Sequence, residues 1–507
     1  MARIQMLNFC NKSQSEESLK NSELHVLINN CSWKECFESE GFRFNPDKLS
    51  ETDREDLLKA AIIALGAFIQ NNFLGPKQTC EKAITIVEGI DYRDKLRSDG
   101  EELNVNVFSP ELLYMCKIIF DGLVLADNEI ELEFDEAVWY LRFLVTYQRC
   151  LDDLTHSLYV KFDRLVNFLE SRFDSLDNMN WKIQTHLEIL QGYILFKRVS
   201  KSARWMTRLE ELSGIKISIE GVLGVRTKYQ QNPLPQLTLR TEGSDALGLP
   251  SSKETHGHVS LPTVLKLDDD LRLEKVQFVV EHENDSVQLP SLIQQIVLTK
   301  VLYLKVSQPK DTLADEELKP YLTSLLYQSH GPWSTRVAAL FMNIEQEANH
   351  KRTVDRSLKQ CEELVSLLES AQPTPMADRF SLAFCSALIP RWLIKARLGD
   401  LMISLGLIKS ALDLFLELQL WENVIACYNH LELRHKSAEI IRQEIDKKPT
   451  VTLFCLLGDA TDDIECYRKA WELSNESSAR AQRHWGNYYF ARKQYSEAIV
   501  HLNKSID

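Results

Sequence analysis

The chain has 507 residues, with 59 Lys and Arg against 73 Asp and Glu, a net charge of −14. An acidic surface repels phosphate, which argues against nucleic acid as a primary ligand. Glycine (18) and proline (15) are sparse for this length, so the composition predicts an all-α chain. The charge excess lies in residues 1–390, because 391–507 carry 16 basic and 16 acidic side chains.

Eleven cysteines are scattered without a metal framework, and Cys31 and Cys36 are the closest pair. That usage fits small core residues in a reducing compartment. The polar start, Met1-Ala2-Arg3-Ile4-Gln5, gives no secretory signal. The apolar stretch from Ala60 to Ile69 is read as too short to cross a bilayer. A cytoplasmic protein without a membrane partner is expected, with the nucleus as a second compartment.

Residues 1–50 are expected to be a poorly ordered or helical N-terminal segment. An N-terminal helical domain is then expected over 51–230. Thr52 and Glu55 form a capping-box pattern before the apolar helix of Leu57, Leu58, Ala61, Ile62, Leu65 and Ile69. Gly75-Pro76 stops it. Further helices are predicted near 109–126, 134–150, 156–173 and 180–213. Residues 219–230 hold Gly221 and Gly224 and show no helical stripe. Residues 231–290 read as a linker or loop. Helical hairpins are expected over 291–371, and a linker with a helix over 372–390, opening on Gln372-Pro373-Thr374-Pro375.

Residues 391–507 carry a repeat. Small residues recur at Gly399, Ala426, Gly458 and Gly486, each inside a helix-turn-helix pattern. In the last unit Tyr489 follows Gly486, then Ala498 and Leu502 occupy the second helix. The unit before 420 has Gly399, Met402, Gly406, Ala411 and Phe415. The next has Ala426 and Ala438, with Arg442 where an apolar side chain is expected. The third has Gly458, Tyr467 and Ala470. Small residues let paired helices approach, and large neighbours seal the crossing. The spacing matches a degenerate tetratricopeptide-repeat solenoid, an α-α superhelix.

Candidate chemistry is thin. His256 and His258 lack a third ligand of suitable type, so a solvated loop is preferred to a metal site. Asp268-Asp269-Asp270 reads as carboxylates complementing a helix start. Nucleophile and phosphate-loop motifs are absent, and no cofactor, metal or catalytic residue is assigned. Trp392, Trp421, Trp471 and Trp485 read as core. Arg480, Arg483 and Asn487 take the second, fifth and ninth positions of the first helix in the last unit. There they could form half of a carboxylate clamp for an acidic tail, or simply solvate a helix start.

The chain resembles the tetratricopeptide repeat protein 27 family over most of its length. The stretches that carry the resemblance are Gly399-Asp400-Leu401-Met402 through Leu407, Leu420-Trp421-Glu422-Asn423 through Tyr428, Leu456-Leu457-Gly458-Asp459, Cys466 through Ser474, Ser478 through Arg483, and Gly221 through Gln230. The resemblance implies a non-catalytic adaptor. It implies a co-chaperone-like role in assembly of the U5 small nuclear ribonucleoprotein, with Hsp90 and its co-chaperone complex as partners. Family members continue into further repeats, so the last unit is expected to be truncated and to fray. The rival readings are an α-solenoid coat or tether in membrane traffic, and a helical hydrolase or transferase.

Overall fold

The computed structural model describes residues 37–38, 43–44, 51–77, 91–123, 132–243, 260–284 and 287–506. The His256–His258 and Cys31–Cys36 pairs lie outside these residues. The chain is mostly helical and divides into two compact units, both discontinuous in sequence. Unit 1 comprises Met1–Ile90, Phe108–Tyr147 and Tyr159–Ile394; unit 2 comprises Asp91–Val107, Gln148–Leu158 and Lys395–Asp507.

In unit 1 a short hairpin pairs β1 (Phe37–Glu38) with β2 (Arg43–Phe44). Helix α1 (Glu51–Ile69) runs on through a π-helical turn, Gln70–Leu74. Together Arg54–Leu74 is long and apolar enough to cross a membrane by length and composition, and is longer than the Ala60–Ile69 stretch suggested. Most of it is buried inside the unit. Helix α2 (Tyr92–Lys95) is a single turn of unit 2. Helices α3 (Pro110–Leu123), α4 (Phe134–Cys150), α5 (His156–Glu170), α6 (Met179–Leu195) and α7 (Val199–Ser213) follow.

The α4 and α6 faces hold a buried ion pair. Arg142 donates to both carboxylate oxygens of Glu188, at 2.8 and 2.7 Å. Its guanidinium lies over the Trp139 ring at 4.4 Å and the Phe384 ring at 4.5 Å. Arg379 is fully buried and donates to the carbonyls of Leu74, Gly75, Thr374 and Ser370.

The expected linker contains strands. β3 (Lys216–Thr227) pairs antiparallel with β4 (Leu234–Glu242) on one side and β5 (Arg272–Phe278) on the other. Little in these segments alternates cleanly between buried and exposed, so no period-2 stripe announced them. Gly224 is where β5 crosses: a Cβ there would stand 3.0 Å from the Gln277 carbonyl oxygen. Helices α8 (Ser291–Ser307), α9 (Thr312–Leu326), α10 (Trp333–Glu347), α11 (Val354–Glu369) and α12 (Met376–Phe380) complete the series before the repeats.

The repeats are antiparallel helix pairs: α13 (Arg391–Ser404) with α14 (Ile408–Glu417), α15 (Trp421–His430) with α16 (Arg434–Lys447), α17 (Val451–Thr461) with α18 (Ile464–Leu473), and α19 (Ala479–Ala491) with α20 (Tyr495–Lys504). Three crossings use glycine against a large side chain. A Cβ on Gly399 would stand 2.5 Å from the Phe415 ring, one on Gly458 2.5 Å from Tyr467, and one on Gly486 2.8 Å from Leu502. Ala411, Ala470 and Ala498 are buried, whereas Ala426 and Ala438 are half-buried and Arg442 is exposed. Burial of a side chain such as Phe415 contributes about 1.5–3 kcal/mol.

The turns repeat as well. Leu407, Leu420, Leu433 and Gln494 donate their amides to the carbonyls of Met402, Phe415, Tyr428 and Tyr489, five residues back. Each such turn passes through a left-handed residue: Gly406, Gln419, Glu432 or Lys493. Of these four only Gly406 adopts that backbone without strain. At the far end α20 leaves Ile499, Val500 and Ile506 exposed.

Candidate interaction site

Unit 2 gathers two stretches from the first third of the sequence onto the repeats. Leu103 and Leu151 form a bridge, and the Asn104 amide donates to the Cys150 carbonyl at 2.8 Å. Asn106 Nδ2 donates to the Leu418 carbonyl at 2.8 Å, at the turn between α14 and α15. Gly100, at φ +78°, lies so close to Ser477 that a Cβ would stand 2.7 Å from its Oγ. Gln148 fixes the second stretch, donating to the Asp153 carbonyl and accepting from the Thr155 amide and hydroxyl.

These stretches bring carboxylates to the N-terminal end of α19. Ser478 caps that helix by accepting from the Ala481 amide. Arg483 donates to Asp153 Oδ2 at 2.5 Å. Arg480, with a side chain 18% exposed, stands 3.7 Å from Asp153 and 4.0 Å from Glu422, both beyond hydrogen-bond reach. Glu101 is 7% exposed. Burial pushes its carboxyl up to about 7 even though Arg480 and Arg483 hold it down, and Asp152 and Asp153 push it further up.

The three residues expected to clamp an acidic tail are thus placed differently from one another. Arg483 is bonded to the chain's own Asp153, Arg480 is ringed by the chain's own carboxylates, and Asn487 is exposed two turns along α19. The physical reason is a pairing over 330 positions that helix periodicity does not register. Sequence reasoning missed Glu101, Asp152 and Asp153 altogether; acidic residues at a helix N-terminus are a generic signal.

Beside Arg480 opens a cavity of about 430 Å³. It lies at the N-terminal ends of α15, α17 and α19, facing the 91–105 stretch. Leu420, Trp421, Leu453, Leu456, Leu473 and Val105 give it apolar walls. Six carboxylates and four cationic side chains line the remainder, a formal charge of −2.

The other singled-out residues have structural settings. Asp269 accepts from the amides of Arg272 and Leu271 and pairs with Arg352, so it opens β5 rather than a helix. Those backbone donors, the Arg272 amide foremost, hold its carboxyl below the usual range. Trp392 is buried against Phe73, and Trp421 and Trp471 pack half-buried on core clusters of unit 2. Trp485 stacks on His501 with ring centroids 4.3 Å apart, and Tyr489 stacks on the same imidazole. Among the described residues no three His, Cys, Asp or Glu side chains converge on a common metal position.

No family model matches the chain. Curated proteins do. It is 24% identical over 493 residues to a tetratricopeptide repeat protein 27 homolog of Dictyostelium discoideum, covering 90% of this chain and 57% of that protein. It is 28% identical over 380 residues to the tetratricopeptide repeat-containing protein trd-1 of Caenorhabditis elegans, covering 72% and 48%. It is 25% identical over 511 residues to a TPR repeat-containing protein of Schizosaccharomyces pombe, covering 89% and 61%. The chain therefore spans about half to three-fifths of the length of these relatives.

Proposed function

We infer that this tetratricopeptide repeat protein 27-like chain is a non-catalytic interaction scaffold serving chaperone-linked assembly of the U5 small nuclear ribonucleoprotein, in the cytoplasm and the nucleus. The observation that carries the scaffold reading is the run of four helix pairs, three of them with a glycine-to-aromatic or glycine-to-leucine crossing, and a recurring turn. Such arrays build extended surfaces from units that contact only their neighbours, and they serve protein recognition. The relatives' names, all of repeat proteins, support the same class. The finer assignment to Hsp90, its co-chaperone complex and U5 proteins rests on the family resemblance. The test is affinity purification of the tagged chain followed by mass spectrometry. Enrichment of U5 and chaperone components is expected. Enrichment of vesicle-coat proteins in their place would overturn the assembly role.

A further inference from the structure

We propose that the unit 2 cavity is a docking groove for an extended basic peptide, taking an Arg or Lys side chain between the Trp421 wall and the acidic rim. This rests on the scaffold reading and names the chemistry of the partner. Three observations support it. First, the groove exposes apolar surface at its mouth: Val105 is 51% exposed and Leu473 38%. Exposed apolar walls with a polar rim mark interaction sites. Second, the charge is complementary to a cation. The lining carries two more carboxylates than cations, and one of those cations, Arg480, already faces Asp152, Glu101, Asp153 and Glu422 of its own chain. Arg480 is thereby already engaged by carboxylates of its own chain. Third, Glu422 stands 62% exposed on the rim, 4.0 Å from Arg480, next in sequence to Trp421. An aromatic face beside carboxylates is a cation-recognising pair.

The groove thus inverts the polarity expected of Arg480 and Arg483. The repeat arginines do not recruit an acidic tail. They anchor the chain's own acidic stretch, and that stretch presents a negative rim outward.

The test is fluorescence anisotropy on the full chain. The probes are labelled nonapeptides of Gly and Ser with three Arg at alternate positions, and the matching Glu and uncharged peptides. The Arg peptide is expected to bind and the other two are not. Glu422→Lys is expected to weaken it about tenfold, as reversal of a rim charge against a cation should. Glu211→Lys makes the same charge change at an exposed position outside the groove lining and is expected to stay within about twofold. Equal losses in the two variants would reduce the effect to diffuse attraction and overturn the groove. Preferential binding of the Glu peptide would also overturn it. Failure of all three peptides, with capture of U5 or chaperone proteins intact, would remove the groove and leave the scaffold standing.

Discussion

A Cβ on Gly458 would stand 2.5 Å from a Tyr467 ring carbon, and that ring is pinned, because its hydroxyl donates to Asp459 Oδ1 at 2.8 Å. The neighbour therefore has little room to give. Gly458→Ala is expected to destabilise the chain by about 1–3 kcal/mol, the cost of forced overpacking. Gly66→Ala is the control: nothing lies within 4 Å of its Cβ position. In the middle of α1 it should stabilise by about 0.5–1 kcal/mol. Thermal and denaturant unfolding of both variants checks the pair, and similar effects would remove the crossing from the account.

Glu101 makes unit 2 sensitive to pH. Its folded pKa, raised by burial, is about 7 against an ordinary value of 4.5. The folded state therefore holds the proton more tightly than the unfolded state. The stability this contributes is complete below pH 4.5 and is lost as pH rises through 7, a span of roughly 3 kcal/mol. Glu101→Gln cannot ionise. Its stability relative to the parent is expected to rise between pH 5 and pH 8, measured by urea unfolding. A constant difference across that range would contradict the burial argument.

Glu432 closes the turn after α15 at φ +60° and is exposed. A side chain pays about 1 kcal/mol for that backbone, and glycine does not. Glu432→Gly is accordingly expected to raise the unfolding midpoint, by up to about 1 kcal/mol of stability. A drop in the midpoint would mean that the Glu432 side chain does more than occupy the turn.

In unit 1, Glu188→Ala would leave Arg142 buried without the carboxylate that accepts two of its hydrogen bonds. The expected cost is about 3–5 kcal/mol, typical of breaking one side of a buried pair. Glu188→Gln keeps an acceptor and should cost less. Equal losses in the two variants would show that the charge, not the hydrogen bonding, governs the site.

The repeats were legible because their constraint is local. Gly399, Gly458 and Gly486 meet partners only 9 to 16 positions away, within reach of a periodicity argument. The turns at Gln419, Glu432 and Lys493 were not legible, since their left-handed backbone is carried by residues with no preference for it. The sheet hid behind Gly221, Gly224 and Pro235, which read as loop residues when no alternating face accompanies them. At the site, the helix face bearing Arg480 and Arg483 was visible. Their partners were not, because tertiary pairing over hundreds of residues leaves no mark in spacing.

The bond from Arg483 to Asp153 also sets a clock during synthesis. At 5–20 residues per second, the 330 positions between them take about 15–65 s to emerge from the ribosome. Until the segment from Lys395 onward emerges, Leu103 and Leu151, both buried in unit 2, lack the greater part of that unit. Unit 2 can therefore close only after its C-terminal segment has been made.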